Sequence, residues 1–107
     1  MLKEGKAARP DRTPIEIYTQ ACDRGWMAAC GSLAGLYFQG DGVPADRLQA
    51  ARLLEKACEG GHAPSCSNLG LIFKRGDGVI RDDTRAVEYL KKACDLGLAS
   101  ACRLLRE

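Results

Sequence analysis

Apolar residues return along this chain at intervals of three and four. Between positions 27 and 39, Cys30, Leu33, Leu36 and Tyr37 fall at helical spacing, and between 63 and 75 Cys66, Leu69, Ile72 and Phe73 repeat the pattern. A second type of segment sets Ala50, Leu53, Leu54, Ala57 and Cys58 at i, i+3, i+4, i+7 and i+8, matched by Ala86, Tyr89, Leu90, Ala93 and Cys94. Both types predict amphipathic helices of about three to four turns. The pattern places helices over 13–24, 27–39, 46–59, 63–75 and 82–96, with a short sixth after Gly97.

Punctuation supports these boundaries. Gly40-Asp41-Gly42-Val43 and Gly76-Asp77-Gly78-Val79 supply glycines that accept positive φ after a helix, and Asp46 or Asp82 then caps the next one. Thr13-Pro14-Ile15-Glu16 combines an N-cap, a first-turn proline and a glutamate three residues on, which is a capping box. Ordered structure is therefore expected from Thr13, with residues 1–12 a flexible lead.

The two segment types alternate with a fixed period. Cys22, Cys58 and Cys94 are 36 residues apart, as are Cys30, Cys66 and Cys102, and residues 22–57 match residues 58–93 at 13 of 36 positions without a gap. The repeat domain over 13–107 then divides into a partial copy at 13–21, full copies at 22–57 and 58–93, and a partial copy at 94–107. Ala34, Ala50, Ala57, Gly70, Ala86 and Ala93 allow close approach of helix axes, so each copy buries its apolar faces mainly against its neighbours. An all-α solenoid follows.

Charge and composition remove several function classes. The chain has 107 residues with 16 basic and 14 acidic side chains interspersed along it, a net charge of +2 that favours neither nucleic acid nor an anionic membrane surface. No apolar run approaches the roughly 18–20 residues of a membrane span. The start, MLKEGKAARPDR, lacks the apolar stretch of a signal peptide, so an exported protein would carry its signal upstream of this sequence.

Six cysteines are many for a reducing cytosol and even in number. Residues eight apart on one straight helix lie about 12 Å apart, beyond the roughly 7 Å limit for a disulfide, so a pair closes only if the chain reverses between its members. Gly25, Gly61 and Gly97 follow the first cysteine of each pair by three residues, where a helix would end, and Pro64 can open the next helix. The pairing read from this spacing is Cys22 with Cys30, Cys58 with Cys66, and Cys94 with Cys102. Each closed loop contributes about 2.5 kcal/mol in the chain-entropy model. The competing readings are free structural thiols and metal ligation. Zinc sites usually draw on CxxC pairs or nearby histidines, and this chain has neither a CxxC nor a histidine besides His62. No metal, cofactor or redox chemistry is expected.

Lys56-Ala57-Cys58 through Leu69, followed by Gly76-Asp77-Gly78-Val79, Asp82, Ala86 and the next Lys92-Ala93-Cys94, resembles the Sel1-like repeat, a relative of the tetratricopeptide repeat. The 36-residue period and the cysteine eight residues after each Lys-Ala-Cys resemble its cysteine-rich branch, which includes secreted bacterial proteins labelled β-lactamase-like and a mitochondrial intermembrane-space assembly factor. The resemblance implies an α/α superhelix, stapled by the disulfides paired above, whose concave face holds a peptide or protein partner. It also implies an oxidising compartment, periplasmic or extracellular, with the mitochondrial intermembrane space as the alternative. A monomer is expected.

The β-lactamase label raises a hydrolase of cell-wall-type substrates as the alternative function. Serine enzymes of that class need S-x-x-K, and none of Ser32, Ser65, Ser67 and Ser100 is followed by Lys at that offset. No catalytic residue is assigned, and a scaffold is the function expected. Its contact residues should lie where copies differ. Gly31, Gly35, Phe38 and Gln39 correspond to Ser67, Leu71, Lys74 and Arg75, on the side of the first helix free of packing constraint. The resemblance puts the first helices on the inner groove, so Phe38, Leu71, Lys74 and Arg75 are the candidates for partner contact.

Overall fold

The computed structural model describes residues 13–106; the lead expected over residues 1–12 lies outside them, as does Glu107. Six helices follow one another among the described residues: α1 (Pro14–Asp23), α2 (Met27–Gln39), α3 (Arg47–Glu59), α4 (Ala63–Arg75), α5 (Asp83–Asp95) and α6 (Ala99–Leu105). The all-α solenoid read from the sequence is the architecture observed. Each helix packs principally on the next in the chain, as a stack of two-helix repeats requires.

Local chemistry sets the helix ends. Thr13 Oγ1 accepts from the Glu16 N–H at 3.3 Å while Glu16 Oε1 accepts from the Thr13 N–H at 2.9 Å, closing the capping box of α1. Asp46 and Asp82 accept from Gln49 and Arg85 N–H groups at 3.0 and 3.1 Å, so α3 and α5 begin one residue inside the expected bounds. Gly40 and Gly76 end α2 and α4 in the left-handed region, at φ 76° and 71°.

The reversal between cysteines is a Schellman turn, built three times. Gly25, Gly61 and Gly97 donate to the carbonyls of Cys22, Cys58 and Cys94, each at 2.9 Å, and Trp26, His62 and Leu98 donate to Ala21, Ala57 and Ala93, each at 3.0 Å. This turn brings each cysteine pair to Cα separations of 4.6, 4.6 and 4.7 Å, and Cys22–Cys30, Cys58–Cys66 and Cys94–Cys102 are joined as disulfides. Each bridge ties one copy's second helix to the next copy's first.

The core runs along the stack in three connected patches. Cys22, Cys30, Leu33 and Ala57 fill the first, Ala34, Ala50, Leu54, Leu69 and Ile72 the second, and Cys58, Cys66, Leu90, Ala93 and Ala101 the third. Small residues permit the close contacts. A Cβ on Gly70 would stand 2.9 Å from Leu90 Cγ and 3.0 Å from the Ala86 carbonyl. The Gly76–Val79 loop is docked as well, since a Cβ on Gly78, at φ +80°, would collide with Arg47 Cβ.

Candidate functional site

Two first helices, α2 and α4, stand side by side and leave a groove of about 260 Å³ between them. The α2 wall carries Gly35, Phe38 and Gln39, and the α4 wall carries Asn68, Leu71 and Arg75. Phe38 and Leu71 are half-buried and Arg75 is exposed at the last turn of α4, where the helix dipole favours a cation. Phe38 also rests on the second core patch, and the Arg47 guanidinium covers its ring at 4.4 Å. Arg47 in turn pairs with Asp77 at 3.0 Å, so a loop of the second copy latches onto a helix start of the first.

Three of the four candidate contact residues, Phe38, Leu71 and Arg75, meet in this groove, and Lys74 does not line it. The reason is geometric. A first helix in a stack faces its predecessor on one side and its successor on the other. Lys74 holds in α4 the position that Phe38 holds in α2, and it lies towards the start of α5 and not in the groove. Its charge acts on Asp83, whose carboxyl is held below its usual range mainly by a hydrogen bond and charge from Arg81, with a smaller contribution from Lys74. Gln39, Gly35 and Asn68 complete the groove without having been assigned a role from the sequence. The Arg47–Asp77 latch joins residues 30 apart, and no local spacing rule reveals it.

The glycines of α2 separate into two kinds. A Cβ at Gly31 would come 2.7 Å from Ser65 Oγ and 3.2 Å from the His62 ring, so packing demands a small residue there. A Cβ at Gly35 would meet nothing within 4 Å. Glycine inside a helix costs about 0.5–1 kcal/mol relative to alanine, and at Gly35 no contact within the fold requires it. The whole of α2 carries no charged side chain, unlike α4, which ends in Lys74 and Arg75.

Two other features invite a chemical reading. His62 Nδ1 and Ser65 Oγ are 2.6 Å apart, the separation of a base and a nucleophile. Ser65, however, is 1 % exposed and lies under Gly31, so the pair closes the first turn of α4 and offers no oxygen to a substrate. A more open depression of about 680 Å³ lies between α3 and α5, over Leu69 and Phe73, with Leu48 and Ile80 exposed at its margin. It is larger than the groove, but its carboxylates are engaged within the fold. Glu55 accepts from the Tyr89 hydroxyl at 3.1 Å and Asp82 caps α5. Burial, followed by the Glu55 charge, pushes the Tyr89 phenol above its ordinary range. We therefore favour the groove as the functional site.

The Sel1 repeat model matches residues 28–62 and 63–98. Among solved structures, Helicobacter pylori cysteine rich protein B is 32% identical over 85% of this chain and 68% of that one, with a TM-score of 0.83. A Sel1 repeat protein from Oxalobacter formigenes is 30% identical over 82% of this chain and 66% of that one, with a TM-score of 0.76. The protective antigen c5321 of uropathogenic Escherichia coli, which displays an SLR fold, is 34% identical over 88% of this chain and 20% of that one, with a TM-score of 0.81. The chain thus spans about two thirds of the first two and a fifth of the third. A comparison with curated proteins finds no match.

Proposed function

The chain belongs to the Sel1 repeat family, and from that premise we propose that it is a monomeric scaffold holding a peptide or protein partner in the groove between α2 and α4, without turnover. Members of this family are typically protein-interaction scaffolds and mostly non-catalytic. The observation that carries the proposal to this surface is the meeting of Phe38, Leu71 and Arg75 from two helices whose packing positions are nearly identical between copies. An aromatic, an aliphatic and a cationic side chain around one concavity are suited to anchoring a partner residue. The binding unit is the repeat domain over residues 13–107. Lys74 would touch only a partner long enough to run on towards the start of α5.

Three disulfides and a cysteine-rich relative point to an oxidising, extracytoplasmic location. Within that range we propose the periplasm or the extracellular space, with the mitochondrial intermembrane space as the second choice. The test is capture of a partner from that compartment on immobilised protein, run in parallel with Phe38→Ala, Leu71→Ala and Arg75→Glu forms of the bait. Capture by the parent that is lost in the variants supports the groove, and capture that all four baits share equally refutes it. Turnover of a nitrocefin-type β-lactam by the purified protein would contradict the non-catalytic reading.

A further inference from the structure

Resting on the reading of this groove as the partner surface, we infer that it takes an extended peptide segment, with a bulky apolar side chain seated over Gly35 between Phe38 and Leu71 and a neighbouring acidic group on Arg75. Size decides first. The groove's 260 Å³ falls below the roughly 300–1,000 Å³ of pockets that enclose cofactors and drug-sized molecules, so it suits one large side chain of a longer chain that continues beyond it.

Charge decides next. Asp77, the carboxylate at the groove, is engaged by Arg47 at 3.0 Å, whereas Arg75 makes no ion pair among the described residues. Among the described residues the groove thus holds one cation that no carboxylate engages, and it matches an anionic partner. Guanidinium and carboxylate also fit in a two-point hydrogen bond that a lysine could not supply.

Gly35 supplies the seat. It lines the groove, and a Cβ there would meet no atom of the fold within 4 Å, so the space beside it is open to a partner. Glycine is the residue that lets another backbone or a large side chain approach a helix closely. On the two walls, Gln39 and Asn68 each carry an amide that donates and accepts, the complement of an extended backbone. The absence of charge throughout α2 leaves that wall uncharged.

The experiment uses the oxidised protein and two families of short blocked peptides, with a central Phe or Leu and one Asp placed at one to three residues on either side, or Lys in place of Asp. Binding is followed by chemical-shift changes at Gly35, Leu71 and Arg75. We expect at least one Asp peptide to bind tenfold or more tightly than its Lys counterpart and than the version with central Ala. Gly35→Leu, whose Cβ meets no atom of the fold within 4 Å and whose longer side chain fills the seat, should melt no lower than the parent and bind that peptide at least tenfold more weakly. Arg75→Glu should reverse the preference from Asp to Lys. Equal binding to Gly35→Leu, or a preference for Lys peptides by the parent, overturns the inference. If no peptide of either family binds while partner capture still depends on Phe38 and Leu71, the inference fails and the groove reading stands. If capture is indifferent to those residues, the groove reading itself fails.

Discussion

Two corners of the fold, 36 residues apart, have the same backbone and opposite chemistry. At the first, Arg47 opens α3 and lies 4.4 Å over the Phe38 ring, then reaches on to Asp77. At the second, the same two positions hold Asp83 and Lys74. There Arg81 pairs with Asp83 at 3.1 Å and Lys74 adds only a longer-range attraction. Beneath both corners the packing is unchanged: Leu33 and Leu69 are 4 % and 1 % exposed, and Cys30 and Cys66 are fully buried. The period therefore dictates what is buried and leaves the outward chemistry free. Of the equivalent pairs, Gly35 and Leu71, and Gln39 and Arg75, stand on opposite walls of one groove, whereas Phe38 lines it and its equivalent Lys74 does not.

Changes on the buried side should have the largest effects. Replacing Cys58 and Cys66 together by alanine should lower the unfolding free energy by about 2–5 kcal/mol in denaturant melts. The same change at Cys94 and Cys102 should lower it less, because both are only half-buried and are followed by a helix of seven residues. Equal losses would mean that the staples act through loop entropy alone, since the closed loops are equally long.

Leu69→Ala should cost about 2–5 kcal/mol, because Leu69 fills the second core patch. Leu71→Ala, two residues on and half-buried at the groove, should cost markedly less in the same melts. Comparable losses would erase the division between packing and groove sides.

The two corners themselves can be compared by double-mutant cycles. Phe38 with Arg47 should show a coupling of about 0.5–1 kcal/mol, the range for an exposed cation over an aromatic face. Lys74 with Asp83 should show less, because that pair has no hydrogen bond between its members.

The smallest effect is a titration. Arg81→Ala should move the Asp83 carboxyl up towards the ordinary carboxylate range by NMR, and Lys74→Ala should move it by a smaller step. A carboxyl held low in the folded state lends whatever stability it lends above its unfolded value, and that contribution disappears as pH falls through the folded one. An upward step from Lys74→Ala as large as that from Arg81→Ala would contradict the geometry of the second corner.

Much of this was legible in the sequence because the relevant signals are local or periodic. Helix bounds came within about two residues, as caps such as Thr13, Asp46 and Asp82 act within a single turn. The position of Lys74 was not legible. Aligning copies shows which residues are equivalent but not which flank of a stacked helix each one takes, and only the three-dimensional lining of the groove, which includes Arg75 and omits Lys74, separates the two. The Arg47–Asp77 latch was hidden for a related reason, since it joins a helix start in one copy to a loop in the next. In the sequence Gly31 and Gly35 read alike, on the variable flank of the first helix, and only the structure separates the crowded Gly31 from Gly35 with open space beside it.

The separation of a binding flank from a packing flank is tested most directly by titrating the partner captured from the oxidising compartment into the parent protein and into the Leu71→Ala/Arg75→Glu double variant, with thermal melts of both. The account predicts that affinity falls by about tenfold or more, the loss expected when anchor residues are removed, while the melting temperature stays within a few degrees of the parent. Undiminished affinity in a fully folded double variant would contradict it.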